Sequence, residues 1–163
     1  MTSNFLLLFV STLHFFPYFI LFSALGITIV TDLSTMLISR LVSLYLVPIG
    51  FLLSYYKLID IHLFESICAA LAGYLFFYML NKLFFYFKKQ NCLGEGDFDL
   101  MALIGSFTGF LGIWFSIFIG SLLGTVAAIT IMLYKKKYIS YMPFGPFLSI
   151  ATMIFILMQD YLY

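Results

Sequence analysis

From Phe98 to Tyr134 the chain is apolar almost without interruption. A helix crossing a bilayer needs about 20 residues, so this run is too long for one span and about right for two. Similar runs cover Phe5 to about Val30, Met36 to Tyr56 and His62 to Phe87, and a last one follows Pro146 close to the C-terminus. In lipid a backbone N–H or C=O finds no water and must bond within its own segment, so each run reads as helix. Pro17 and Pro48 are placed to kink the first two. The long run is expected to break near Gly109-Phe110-Leu111-Gly112, where paired glycines mark a turn. The expectation is an all-α polytopic membrane protein with about six transmembrane helices, forming a single domain over residues 1–163.

Composition supports this reading. Hydrophobic residues make up 64% of the chain and charged residues 9%, against about 45–50% and about 25% in soluble domains. A soluble fold of this size has too little interior to hide that surface, so the lipid bilayer is its expected solvent. A net charge of +1 gives no electrostatic footprint for nucleic acid. Cys68 and Cys92 lack CxxC spacing, and His14 and His62 lack an HExxH context, so no metal site is expected. Met1 to Asn4 carries no basic side chain and the following apolar run is long. That stretch therefore reads as a retained first span and not as a removable signal.

Charge fixes an orientation. Of the eight Lys and Arg residues, Arg40, Lys82, Lys88, Lys89, Lys135, Lys136 and Lys137 fall on one set of alternate loops, and Lys57 alone on the other. The positive-inside bias puts the basic loops in the cytoplasm and both termini outside it. Gly112, Ser116, Gly120, Gly124 and Ala128 recur every four residues, a stripe of small side chains that lets another helix approach closely. Packing is the main reading of this stripe and a substrate groove the alternative.

The acidic residues are few and unevenly placed. Asp60, Glu65 and Asp160 lie near helix ends and read as solvated interfacial groups. Asp32 and Asp97 each sit where a polar loop meets a long apolar helix, and the span count puts both on the cytoplasmic side. Two carboxylates about 3 Å apart cannot both ionise easily, so one can act as base on a water while the other, as acid, polarises a peptide carbonyl. Gly94 and Gly96 flank this chemistry in Gly94-Glu95-Gly96-Asp97. Without a Cβ they allow unusual dihedrals and close approach of an extended backbone. The string alone also fits an aspartate capping the following helix, with Glu95 and Asp99 favourable near the helix N-terminus. A proton-coupled transporter using these acids as relays is a further reading, although no internal repeat of the transporter kind is evident.

The segment from Gly94 through Asp97 to Gly105 resembles the second catalytic motif of type IV prepilin peptidases, which are GxGD-type membrane aspartyl proteases. Asp32 lies between two apolar helices, as the first catalytic aspartate of that family does, and Met142-Pro143-Phe144-Gly145-Pro146-Phe147 resembles the segment that opens its last helix. The resemblance implies a six-helix endopeptidase of the cytoplasmic membrane that removes short basic leaders from pilin-like or pseudopilin precursors. In that reading Asp32 and Asp97 are catalytic, Gly94 and Gly96 support the site, and no metal or organic cofactor takes part. Two departures stand out. Leu37-Ile38-Ser39-Arg40 replaces a proline and a polar residue common after the first aspartate, and Asp99 stands where lysine is frequent. Glu95 and Asp99 are therefore candidates for tuning local charge, and a catalytically degenerate member acting as an assembly partner is an alternative. Bifunctional relatives carry an N-terminal methyltransferase-type domain with paired CxxC motifs. Nothing here corresponds to it, so peptidase activity without S-adenosylmethionine is the expectation. The proline-alanine-leucine motif of presenilin-like proteases is absent, and neither histidine has the serine context of a rhomboid-type protease.

Overall fold

The computed structural model describes the backbone of residues 2–35, 40–89, 94–135 and 143–162, and the side chains of 16–34, 43–87, 89, 94–134 and 143–159. Several sequence features fall outside the described residues: Met36, the Leu37-Ile38-Ser39 departure, Cys92, Lys136, Lys137 and Met142, together with the side chains of His14, Arg40, Lys88, Lys135 and Asp160.

The described residues form five helices and no strand: α1 (Thr2–Thr35), α2 (Arg40–Tyr55), α3 (Leu63–Lys88), α4 (Glu95–Lys135) and α5 (Gly145–Leu162). Helix α4 is interrupted at Gly109, where φ is 68° and ψ is −165°. Its two arms make six helical segments in all, as the apolar runs require. The break falls at the first glycine of the expected turn, and the chain reverses there. A Cβ added to Gly73 of α3 would lie 2.8 Å from the Met101 carbonyl oxygen and 3.4 Å from Ile113 Cδ1, so residues on both arms share one level of the bundle.

Three stretches, Phe16–Ser34, Leu63–Phe87 and Glu95–Tyr134, are long and apolar enough to cross a membrane, and Ser43–Tyr55 and Gly145–Gln159 are shorter apolar helices. Pro17 and Pro48 lie within α1 and α2. Helix α1 runs past its expected end near Val30, so Asp32 sits inside its final turns. The hydroxyls of Thr31 and Ser34 bond to helix carbonyls, Thr31 to Ile27 at 2.9 Å and Ser34 to Thr31 at 3.1 Å, which lets the helix continue through a polar stretch.

The packing is that of a protein with lipid outside. Trp114, Phe118, Leu122 and Leu133 face outward, while Thr28, Ser66, Ser106, Ser116 and Thr152 are buried. Small and polar side chains let backbones approach and join helices where the hydrophobic effect supplies no drive. Ser66 Oγ donates to the Ser106 carbonyl at 2.6 Å, linking α3 to the first arm of α4. Ser116 and Thr152 bond at 2.9 Å, linking the second arm to α5. The small-residue stripe is used for packing. A Cβ on Gly120 would meet Leu148 of α5 at 3.2 Å, and one on Gly124 would meet Phe147 at 3.6 Å. Helix α5 covers the face that a substrate groove would have used, and this corrects the alternative reading of the stripe. Cys68 is a half-buried free thiol on α3.

Gly109 is the one described glycine at positive φ, and its dihedrals belong to a region that glycine alone occupies readily. Gly109→Ala is expected to destabilise the protein by about 1–3 kcal/mol, read as a lower unfolding midpoint in detergent. An added Cβ would also lie 2.7 Å from Glu65 Oε1. Adding Glu65→Ala is expected to leave most of the loss in place, since the backbone penalty does not depend on that side chain.

Candidate active site

The end of α1 and the starts of α4 and α5 meet at one end of the bundle. Asp32 of α1 is 4% exposed and Asp97 of α4 is 5% exposed. They are close enough for the charge of Asp32 to act on Asp97. The two expected residues are thus brought together from helices far apart in sequence.

Asp97 is fixed by its own turn. Its Oδ2 accepts the Gly94 N–H at 3.1 Å, and its own N–H donates to the Gly94 carbonyl at 3.1 Å. A residue three positions into a helix that reaches back to the N-cap amide is the reciprocal half of a capping box. The helix-cap reading and the paired-carboxylate reading therefore describe one arrangement, in which one oxygen caps the helix and the other is left to the site. Gly96 lies within α4 with ordinary helical dihedrals, so the conformational freedom expected of it is not used there.

Asp32 is met from the other side. The backbone N–H of Gly145, at the start of a helix where amide donors lack intrahelical partners, lies close enough to its carboxylate to act on it electrostatically. Local sequence makes this donor available. Phe144 supplies the carbonyl that accepts from Phe147 at 3.1 Å and Leu148 at 3.2 Å. Pro146 has no N–H, so Gly145 carries the free amide of the first turn. Gly145 stands in the segment that the sequence marks as opening the last helix, but charge and flanking glycines alone do not join it to the two acids. A glycine followed by proline at a helix start was the available signal.

After these contacts Asp32 Oδ2 and Asp97 Oδ1 remain buried without a hydrogen-bond partner. Desolvated carboxylate oxygens with nothing bound to them are unfavourable in a structure that serves packing alone. Glu95 is exposed at the rim, whereas Asp99 is 3% exposed and so belongs to the packed part of the first arm. Asp60 and Glu65 are not part of this constellation. They lie at the opposite end of the bundle, around a cavity of about 740 Å³ that Thr108 and Gln159 also line.

A helical membrane bundle that buries two interacting carboxylates at the ends of separate spans defines the class: a polytopic membrane protein with a paired-aspartate site. The family model described as Type IV leader peptidase family matches residues 19–129, a stretch that includes both aspartates. The chain belongs to that family. It is similar to prepilin leader peptidase/N-methyltransferase of Pseudomonas putida, with 29% identity over 116 residues, covering 71% of this chain and 40% of that protein. The protein of the same description from Pectobacterium carotovorum subsp. carotovorum is 29% identical over 143 residues, covering 87% and 51%. The Escherichia coli one is 31% identical over 126 residues, covering 77% and 55%. The chain thus spans about half or less of the length of these curated relatives. No solved structure matches it significantly.

Proposed function

We propose that this chain is an aspartic endopeptidase, a single membrane-embedded unit that removes leader peptides from type IV pilin-like precursors at the cytoplasmic face of the membrane. The observation that carries the reading is the pair of buried, mutually interacting carboxylates, each with one oxygen that no protein group satisfies, and Asp97 tied through its other oxygen to Gly94. Family membership and the names of the relatives supply the substrate class.

The chemistry requires the pair to carry one proton. The anionic carboxylate takes a proton from water as the water oxygen attacks the scissile carbonyl carbon. The protonated partner polarises the carbonyl and, as the tetrahedral species collapses, a proton reaches the departing amine. The Gly94 amide holds Asp97 and the Gly145 amide lies beside Asp32, so backbone dipoles already face both carboxylates before the reaction. Asp32 and Asp97 are the proposed catalytic residues, Gly94 and Gly96 shape the site, and Glu95 and Asp99 set its local charge.

The cytoplasmic placement rests on the basic loops. Lys82 and Lys89 lie towards the end of α3, on the side of the paired acids, whereas Lys57 follows α2 at the Gly109 end. The direct test is incubation of the detergent-solubilised chain with a type IV prepilin, with the new N-terminus mapped by mass spectrometry. Cleavage at the leader junction is expected, and an intact precursor under conditions where a characterised relative cuts it would refute the proposal.

The Gly145 amide gives a second test. Proline is tolerated in the first turn of a helix, so Gly145→Pro removes the donor to Asp32 while leaving a proline-compatible helix start. Loss of one hydrogen bond to a charged group corresponds to about 1.5–3 kcal/mol. Cleavage should therefore slow by roughly 10- to 100-fold, and Gly145→Ala, which keeps the N–H, should slow it far less.

A further inference from the structure

Towards the end of the bundle that holds the paired acids, Ser149 Oγ of α5 is a further buried polar atom without a partner. Buried hydroxyls in helices commonly bond back to a carbonyl one turn earlier. Thr28, Ser106, Thr108 and Thr152 do so here, at 2.9, 2.8, 2.7 and 2.8 Å. Ser54, Ser66 and Ser116 reach other elements. Ser149 is 0% exposed and does neither.

Its position on α5 directs it towards the acids. Ser149 follows Gly145 by one helical turn, about 6 Å along the axis and on the same face. Helical side chains lean towards the N-terminus, so its hydroxyl lies over the turn that begins at Gly145, beside Asp32. Leu148 and Thr152 occupy the neighbouring face, against Gly120 and Ser116 of α4, and α5 also packs on α1, which carries Asp32. Ser43, near the start of α2, is the other buried hydroxyl without a partner, but α2 makes little contact with α1, which carries Asp32, whereas α5 packs on both α1 and α4.

We propose that Ser149 positions the attacking water together with Asp32 Oδ2 and Asp97 Oδ1, an inference that rests on the aspartic-peptidase reading. Buried waters typically make about three hydrogen bonds to groups otherwise unsatisfied, and these three atoms come from three helices. The serine hydroxyl donates to one lone pair of the water, the water gives one proton to the anionic carboxylate, and its other lone pair attacks the carbonyl carbon. Ser149 keeps its own proton throughout.

The experiment measures kcat, KM and unfolding midpoint for the full chain in detergent, cleaving a prepilin precursor, as wild type, Ser149→Ala, Ser149→Thr and Asp97→Asn. Ser149→Ala is expected to lower kcat about 10- to 100-fold with KM within about twofold. Its midpoint should be little changed, because the hydroxyl bonds to no other protein group. Ser149→Thr, which keeps the hydroxyl, should recover most of the rate. The inference is overturned if Ser149→Ala retains kcat within about twofold, or if its loss comes with a matching fall in midpoint. It is also overturned if a folded Ser149→Thr is as slow as the alanine variant. A wild type that does not cleave, or an active Asp97→Asn, overturns the peptidase reading itself and the inference with it.

Discussion

Asp97→Asn is expected to lower leader cleavage by about 10³-fold or more while the protein still accumulates in the membrane. The substitution is close to isosteric, and the asparagine side-chain oxygen can still accept the Gly94 N–H that Asp97 Oδ2 accepts at 3.1 Å. The start of α4 should therefore remain capped. What disappears is the capacity to take and return a proton at the buried, unpartnered Oδ1. Asp32→Asn should behave alike, since its Oδ2 is likewise buried and unpartnered. The double variant should be little worse than either single one, because members of a catalytic unit are strongly non-additive. Processing of a prepilin in membranes, with immunoblotting for each variant, checks all three. Either single variant that retains more than about a tenth of wild-type cleavage would count against an acid–base pair.

Gly105→Ala is expected to affect both stability and activity from outside the site. A Cβ there would lie 2.7 Å from the Ala69 carbonyl oxygen, 2.8 Å from its carbon and 2.9 Å from the Ala70 nitrogen. These are backbone atoms of α3, so no side chain can move aside to make room. The first arm of α4 must shift, at an overpacking cost of about 1–3 kcal/mol. Asp97 rides on that arm two turns away, and a displacement of about 1 Å in a catalytic group can reduce rate about 100-fold. Unfolding midpoint and kcat should fall together in Gly105→Ala. Gly26→Ala is the matched control, since nothing lies within 4 Å of a Cβ at that position. A Gly105→Ala protein indistinguishable from it would show that this crossing tolerates more room than its geometry allows.

The helices were legible because lipid leaves the backbone so few choices. The apolar runs marked the segments, and Gly109-Phe110-Leu111-Gly112 marked the reversal within the longest one. Its first glycine takes the positive φ. The end of α1 was misjudged because hydropathy falls at Thr31 and Asp32, whereas the helix satisfies those residues through its own carbonyls and through α5. Asp32 and Asp97 could be singled out as acids at helix ends, but no local pattern gives the distance between residues 65 positions apart. That they meet follows from tertiary packing, in which α5 lies against both α1 and α4. The sequence marks Gly145 only as part of the segment opening the last helix, with no role of its own, and it does not mark Ser149 at all. One acts through a backbone amide and the other through a lone hydroxyl, and neither group leaves a mark in charge or hydropathy.

The reversal at Gly109 also bears on how the chain enters the bilayer. The residues around it, Thr108 to Leu111, carry no charge, and Gly109 itself is buried. The two arms can therefore insert as one hairpin, with no polar loop to be translocated between them. The first arm, which carries Asp97, then reaches its place only in company with the second, and the proposed site is complete only when α5 arrives beside Asp32. A nascent chain halted before Gly145 would have both acids without the helix start that faces the first of them, so on the peptidase proposal the order of synthesis would delay activity until the last helix is in place.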